Sequence, residues 1–329
     1  MTSSVAGLQA AVSSSAESMI ADPRMRRAWH RTEDYPTRAT SAKPLAMPMA
    51  LIMSSHVAGS RVGGSAQALA LTQFKIDPVV IPTVLYGRHP GWGAPGGAQV
   101  PIEAFEGMLD GVEANGLFGM TDLVLTGYFA SVEQVRAAAR AIDAVKAAPR
   151  DGAFARKPMI VVDPVIGDSG KGLFVPAEVA QAVIDHLIPK ADLIAPNSWE
   201  LQRITGSDAR SPEAAVRAAR LTGKAVLVSS VIRGGEIGVV YADKREAWLA
   251  AHQKAGENVP SGTGDLLTAL FAAALLEGQT PSYGLARAVG GLAETIASAG
   301  IWASPELPIV AMGARIKQAS PTVRIERLV

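Results

Sequence analysis

Cysteine is absent from all 329 residues, aromatic residues make up only 5%, and 31 basic side chains against 30 acidic ones leave a formal net charge of +1. The lack of cysteine excludes disulfides, thiolate zinc sites, iron–sulfur clusters and a cysteine nucleophile. It also fits a reducing, cytoplasmic setting. The lack of a net field means that charge alone attracts neither nucleic acid nor an anionic membrane surface, so an anionic ligand must be held by local geometry. Long apolar runs are missing too. A stretch such as Ala269 to Leu276 falls far short of the roughly 20 residues that span a bilayer. What the chain does have is apolar bulk, 48% hydrophobic against 19% charged, enough for a buried core in one large domain or two ordinary ones.

Residues 1–46 stand apart, rich in Ser, Ala and Arg and without a sustained period. They read as a disordered extension, with an organelle transit peptide or a start site placed too far upstream as alternatives; no apolar h-region follows the charges, so a secretory signal is not expected. No Pro/Gly-rich linker divides 47–329, which reads as one domain.

From Met49 onwards, aliphatic runs bounded by turn residues alternate with stretches of helical period, the pattern of βαβ units and a mostly parallel sheet. The expected strands are MALIM (49–53), PVVIPTV (78–84), DLVLT (122–126), PMIVVD (158–163), DLIAP (192–196) and AVLVSS (225–230). EIGVVYA and EAWLAA, separated by DKR, predict a small antiparallel hairpin at one edge. Two helices, 264–276 and about 281–298, close the core. LYGRHPGWGAPGGAQVP (85–101) has no period of either kind; a long irregular stretch inside a compact domain suggests a lid over a site, with a plain long connection as the alternative.

PSGTGD (260–265) carries the sharpest chemistry. A helix N-terminus offers unsatisfied N–H groups and a positive dipole end, and Gly262 and Gly264 let the backbone approach an anion closely. Asp265 in the first turn is by itself most simply a helix-capping carboxylate. Beside an anion-cradling turn it also suits a base that takes the proton of a hydroxyl attacking a phosphoryl group. The G-x-x-x-x-G-K-[ST] run of a P-loop is absent. GSRVGG (59–64) lacks G-x-G-x-x-G, which counts against a nicotinamide dinucleotide.

Four separated stretches, SSHVAGSRVGGSAQALAL (54–71), VVDPVIGDSGKG (161–172), LIAPNSWELQRITG (193–206) and PSGTGD, occur in an order that resembles the ribokinase-like superfamily and, within it, the pyridoxal kinases of vitamin B6 salvage. The resemblance runs from about Leu51 to Ser298. It implies a three-layer α/β/α sandwich, ATP as phosphoryl donor, Mg²⁺, K⁺ as a candidate second cation, a B6 vitamer as substrate, and a homodimer. Asp265 would be the general base, with the backbone of Gly262, Thr263 and Gly264 as the anion hole. The nucleotide side would include Asp163, Ala195, Asn197, Glu200, Ser229, Gly262 and Gly264, with magnesium near Glu200 and Asp163. The substrate side would include Ser55, Val57, Thr83, Val84, Tyr128 and Asp265, with His89 and Trp92 in the lid. Read without the family, Asn197 and Glu200 form an N-cap with an acidic first turn, Asp163 is a turn aspartate before Pro164, and His56 is a structural histidine.

Three departures from the family pattern stand out. Gly64 replaces a common Asn, Pro90 and Gly91 replace a polar pair in the lid, and Ser229 replaces a nucleotide-side Lys of some bacterial relatives. The alternatives that remain open are a hydroxymethylpyrimidine kinase and a weakly active pyridoxal 5′-phosphate reservoir.

Overall fold

The computed structural model describes residues 47–150, 156–253 and 259–328; the expectation of a disordered 1–46 lies outside them. The first strand, β1 (Met49–Val57), sets the architecture. Its side chains alternate, so that Leu51 and Met53 enter one apolar cluster while Ala50 and Ile52 enter another on the opposite face. A strand with buried aliphatics on both faces belongs inside a sheet covered on both sides. The elements that follow are α1 (Gly63–Thr72), β2 (Asp77–Tyr86), β3 (Gly97–Gln99), α2 (Ile102–Ala114), α3 (Leu117–Met120), β4 (Thr121–Thr126), α4 (Val132–Ala147) and β5 (Met159–Val162). After a short hairpin of β6 (Gly167–Asp168) and β7 (Gly172–Leu173) come α5 (Ala177–Ala182), β8 (Leu193–Ile194), α6 (Ser198–Thr205), α7 (Pro212–Leu221) and β9 (Ala225–Arg233). The chain ends with β10 (Glu236–Ala242), β11 (Ala247–Gln253), α8 (Thr263–Leu276), α9 (Pro281–Ile301), α10 (Ile309–Met312) and β12 (Arg324–Arg327).

The main sheet has the order β12-β11-β10-β9-β8-β5-β4-β1-β2-β3, and the stretch from β9 to β2 is parallel throughout. One face packs on α2, α4, α5, α6 and α7, the other on α1, α8, α9 and α10. This is the expected α/β/α sandwich. Because β2 leaves β1 on one side and β4 lies on the other, the strand order reverses at β1, and ligands of open α/β sheets bind at such a switch point, beyond the strand C-termini.

Three elements differ from the sequence expectation. β1 continues past MALIM through SSHV, because its last residues pair with the far end of β2 across a register shift between Ser54 and His56. The stretch 85–101 is only partly irregular: β2 runs on to Tyr86, a single 3₁₀ turn covers Pro90–Trp92, and β3 returns antiparallel against Val84 to Tyr86. That return is a main-chain ladder of exposed residues, so it needs no apolar period; a Cβ on Gly97 would lie 1.9 Å from the Leu85 carbonyl oxygen. The expected β10–β11 hairpin is present, and β12 extends it through the ion pairs Arg233–Glu326 and, at 2.6 Å, Arg324–Glu236.

Candidate active site

α8 starts from Gly262, whose φ of +91° is a left-handed conformation that disfavours any side chain. A Cβ there would lie 2.1 Å from the Arg61 carbonyl oxygen. The turn before α8 and the turn after β1 are therefore packed backbone on backbone. The first N–H groups of α8 have no intrahelical acceptor and point out of its mouth.

Asp265, in the first turn of α8, accepts a hydrogen bond on Oδ2 from the Gly63 N–H at 2.8 Å and faces the Gln67 amide nitrogen with Oδ1 at 3.5 Å. Burial pushes its pKa up to about 6, against the lowering effect of the Gly63 bond. It is thus a carboxylate that is mostly ionised at neutral pH yet basic enough to take a proton. Asp163, at the end of β5, is buried, accepts from Thr268 Oγ1 at 2.8 Å, and is raised well above the ordinary carboxylate range by burial and then by the charges of Asp265 and Glu200.

Glu200 is only 3% exposed. Its Oε1 accepts from the N–H groups of Ile166 (2.7 Å) and Gly167 (3.2 Å), and its Oε2 from Asn197 N–H (2.9 Å). Asn197 Oδ1 accepts in return from Glu200 N–H at 2.9 Å, which completes a capping box on α6. Burial still drives Glu200 up to about 7. The pair is thus the N-cap with an acidic first turn that the sequence suggests.

Three buried or partly buried carboxylates therefore converge with no arginine or lysine paired to any of them among the described residues. Burial raises the pKa of all three, and at Asp163 the charges of Asp265 and Glu200 add to it, so a divalent cation at the site would offset the cost of ionising them. No group of three or more His, Asp or Glu among the described residues could hold a metal by itself. The residues fit a Mg²⁺ held chiefly by phosphate and water, with these carboxylates around it.

Known proteins align with this arrangement. Residues 121–304 match the family model described as phosphomethylpyrimidine kinase. The chain is 32% identical over 246 residues to a pyridoxine/pyridoxal/pyridoxamine kinase of Bordetella avium, covering 72% of this chain and 80% of the relative. It is 30% identical over 288 residues to a pyridoxal kinase of Pseudomonas entomophila, covering 85% and 97%. The chain belongs to the pyridoxal kinase family. The fold is shared with the crystal structure of pyridoxal kinase from Entamoeba histolytica, at a TM-score of 0.77 and 24% identity over 86% of this chain and 100% of that one. It is also shared with the Leishmania donovani pyridoxal kinase in complex with ADP, at 0.78 and 23% over 85% and 99%.

For a pyridoxal kinase, the site residues named from the sequence fall into two groups. Asp163, Ala195, Asn197, Glu200, Gly262, Thr263, Gly264 and Asp265 lie at the ends of β5 and β8 and at the mouths of α6 and α8. Ser229 joins them through a bridge to Asn197, its N–H donating to Pro196 O at 3.0 Å. Ser55 and Val57 occupy the end of β1 and Val84 that of β2, all three buried. Thr83 is buried as well, but its hydroxyl is committed to the Tyr128 carbonyl at 2.7 Å, so it holds Tyr128 in place rather than lining a pocket with a free group. Tyr128 is half-buried, and burial followed by the nearby Tyr86 raises its phenol pKa. His89 caps the 3₁₀ turn Pro90–Trp92 through Gly91 N–H at 3.0 Å and lies 6.2 Å from the Trp92 ring. Its pKa is lowered by burial and then by Lys171. His56 is exposed, 3.2 Å from Ser65 Oγ, on the strand face opposite Ser55, which agrees with a structural histidine.

Gly64, the departure at α1, is closed off by packing: a Cβ would already stand 3.2 Å from a Val80 methyl and 3.3 Å from Ser55 O. Two supporting residues were not legible in the sequence. Gln134, buried on α4, donates through Nε2 to Thr83 O (2.9 Å) and Val100 O (2.8 Å) and accepts from Ala130 N–H (3.1 Å), so it clamps both ends of the stretch 85–101. Glu306 reaches across 245 residues to accept from Arg61 N–H at 2.6 Å, fixing the turn that backs Gly262. Neither sits in a motif, and a Gln in an amphipathic helix or a Glu in a terminal loop carries no signal of such a role.

Proposed function

We propose that this chain transfers the γ-phosphoryl group of ATP to the 5′-hydroxymethyl oxygen of pyridoxal, and of pyridoxine and pyridoxamine. The observation that carries this reading is the placement of the Asp265 carboxylate at the mouth of α8, held by Gly63 N–H at 2.8 Å and beside Asp163, at the switch point of the sheet. Asp265 accepts the hydroxyl proton as that oxygen forms its bond to phosphorus and the bond to the ADP oxygen breaks. The N–H groups of Gly262, Thr263 and Gly264 stabilise the charge that builds on the phosphoryl oxygens. Ser55 and Tyr128 orient the ring, and the lid with His89 and Trp92 excludes water. Glu200 and Asp163 surround a Mg²⁺ that, when bound, neutralises phosphate charge. A homodimer in the cytoplasm is the assembly and setting that the family resemblance supports.

A second reading, a hydroxymethylpyrimidine kinase, is favoured by the family model that matches 121–304. A coupled ATP-consumption assay over pyridoxal, pyridoxine, pyridoxamine, hydroxymethylpyrimidine and ribose separates the two. Turnover of B6 vitamers with kcat/KM at least about tenfold above hydroxymethylpyrimidine is expected; the reverse order overturns the B6 assignment. In the same assay Asp265→Asn should lose about 10²- to 10⁴-fold in kcat while keeping its fold, and near-normal turnover would remove Asp265 from the mechanism.

A further inference from the structure

Gln67 is the fifth residue of α1, within an otherwise apolar stretch whose buried neighbours Ala66, Ala70 and Leu71 belong to the core. It is 0% exposed, and its Oε1 has no partner among the described residues. Burying a carboxamide costs free energy unless its hydrogen bonds are made, so a glutamine at such a position calls for a reason. Its Nε2 lies 3.5 Å from Asp265 Oδ1. An ionised carboxylate only accepts, so the amide nitrogen is the end that must face it.

A second orphan lies in the same place. Ser54, also 0% exposed, has a hydroxyl with no partner. A methyl group on Gly127 would stand 2.3 Å from Ser54 Oγ and 3.5 Å from Gln67 Nε2, so both polar side chains border one space above the Gly127 backbone. Along β1 the side chain of Ser54 shares its face with Ala50 and Ile52, the face that packs against α1 and α8. A hydroxyl that can donate and a carboxamide oxygen that can only accept are thus placed behind the carboxylate.

We infer that Gln67 is a positioning residue for Asp265, donating through Nε2 to Oδ1 and backed by the Ser54 hydroxyl. Gly63 N–H holds Oδ2 and Gln67 holds Oδ1, so the carboxylate is fixed against rotation about its Cβ–Cγ bond. The lone pairs left over then point in fixed directions at the substrate hydroxyl. Rotational freedom at a reacting group lowers turnover without weakening ground-state binding, since the loss falls on orientation. The inference rests on Asp265 being the base.

The test compares Gln67→Met, which keeps length and loses the donor, with Gln67→Glu, which sets a carboxylate against the base, and with Asp265→Asn. Steady-state kinetics with pyridoxal and ATP are read alongside thermal melting. For Gln67→Met, kcat should fall about 10- to 100-fold, with both KM values within about twofold and the melting temperature nearly unchanged. Gln67→Glu should lose more kcat than Gln67→Met, again at similar KM. In the Asp265→Asn background, Gln67→Met should produce no further fall in kcat, because the group it positions is gone. A Gln67→Met protein with wild-type kcat overturns the inference, as does a kcat loss that tracks a fall in melting temperature and repeats in full on Asp265→Asn. If Gln67→Met fails to fold, the Gln67→Glu comparison decides, and wild-type kcat there is equally fatal. An active Asp265→Asn single variant would instead sink the base assignment itself.

Discussion

The Gly63 N–H donates to Asp265 Oδ2 at 2.8 Å across 202 residues of sequence. This bond ties the turn after the first strand to the mouth of α8, the two places where the substrate hydroxyl and the phosphate are proposed to meet. Gly63 is bound to its position twice over: its φ of +56° is left-handed, and a Cβ would fall 2.1 Å from Ser55 Oγ and 2.7 Å from Ser55 O.

Gly63→Ala should therefore destabilise the fold by about 2 kcal/mol or more and lower kcat at least about tenfold, since the displaced N–H no longer holds the base. Gly264→Ala is the control. Gly264 is exposed with nothing within 4 Å of an added Cβ, so stability should stay within about 0.5 kcal/mol. Denaturant melts of the two variants, with kcat of Gly63→Ala, check both halves.

The pH dependence of turnover follows from Asp265. The group accepts a proton only when ionised, and its pKa is raised to about 6. The acid limb of the kcat profile should therefore fall near pH 6, with activity lost below it and a plateau reached above pH about 7. A limb near the unperturbed aspartate value of about 4 would contradict this.

Magnesium binding should also depend on pH in a way that needs no activity to read. Glu200 is raised to about 7 and Asp163 lies well above the ordinary range. Their folded pKa values exceed the unfolded ones, so what they contribute to stability is fully present below the unfolded carboxylate pKa and is lost as pH rises through about 7. A cation that binds the ionised forms offsets that loss. Mg²⁺ with ATP should raise the melting temperature more at pH 8 than at pH 6, and Asp163→Asn with Glu200→Gln should flatten the difference. An equal shift at both pH values in the unaltered protein would argue against a cation at these carboxylates.

Gln134 holds the roots of the lid through Thr83 O, Val100 O and Ala130 N–H. Gln134→Leu removes these bonds from two buried carbonyls and one part-buried N–H, of which Thr83 O still accepts from Val100 N–H, and should cost about 2 kcal/mol. It should also raise KM for pyridoxal several-fold more than KM for ATP, because Gln134 holds Thr83, which in turn holds Tyr128, the residue proposed to orient the ring. Equal changes in both constants would show that the clamp does not act through the lid.

The sheet and most of its strands were legible because β-branched and aliphatic runs such as MALIM, DLVLT and MIVVD bury both faces, a property that composition alone displays. The mouth of α8 was legible because glycines and a carboxylate before an apolar run have few uses. The strand within 85–101 left no trace in the sequence because β3 is held by main-chain bonds, which leave no mark on side-chain periodicity. Thr83 could be placed on the substrate side from its position along the strand, but the partner of its hydroxyl, the Tyr128 carbonyl, is visible only in the structure.

The sequence by itself determined the alternation of strand and helix, the absence of thiol chemistry and of a net field, and the glycine-rich turn with its aspartate at 260–265. These are properties of single segments, set by covalent order and local propensity. Only the tertiary structure decided which groups surround the Asp265 carboxylate. Gly63 and Gln67 from α1, Asp163 from the end of β5 and, behind the turn, Glu306 come from three segments far apart in the chain, and their arrangement around Asp265 rests on burial and on contacts of a few ångströms. Those distances are fixed by how two helical layers close over one sheet, and no local pattern encodes them.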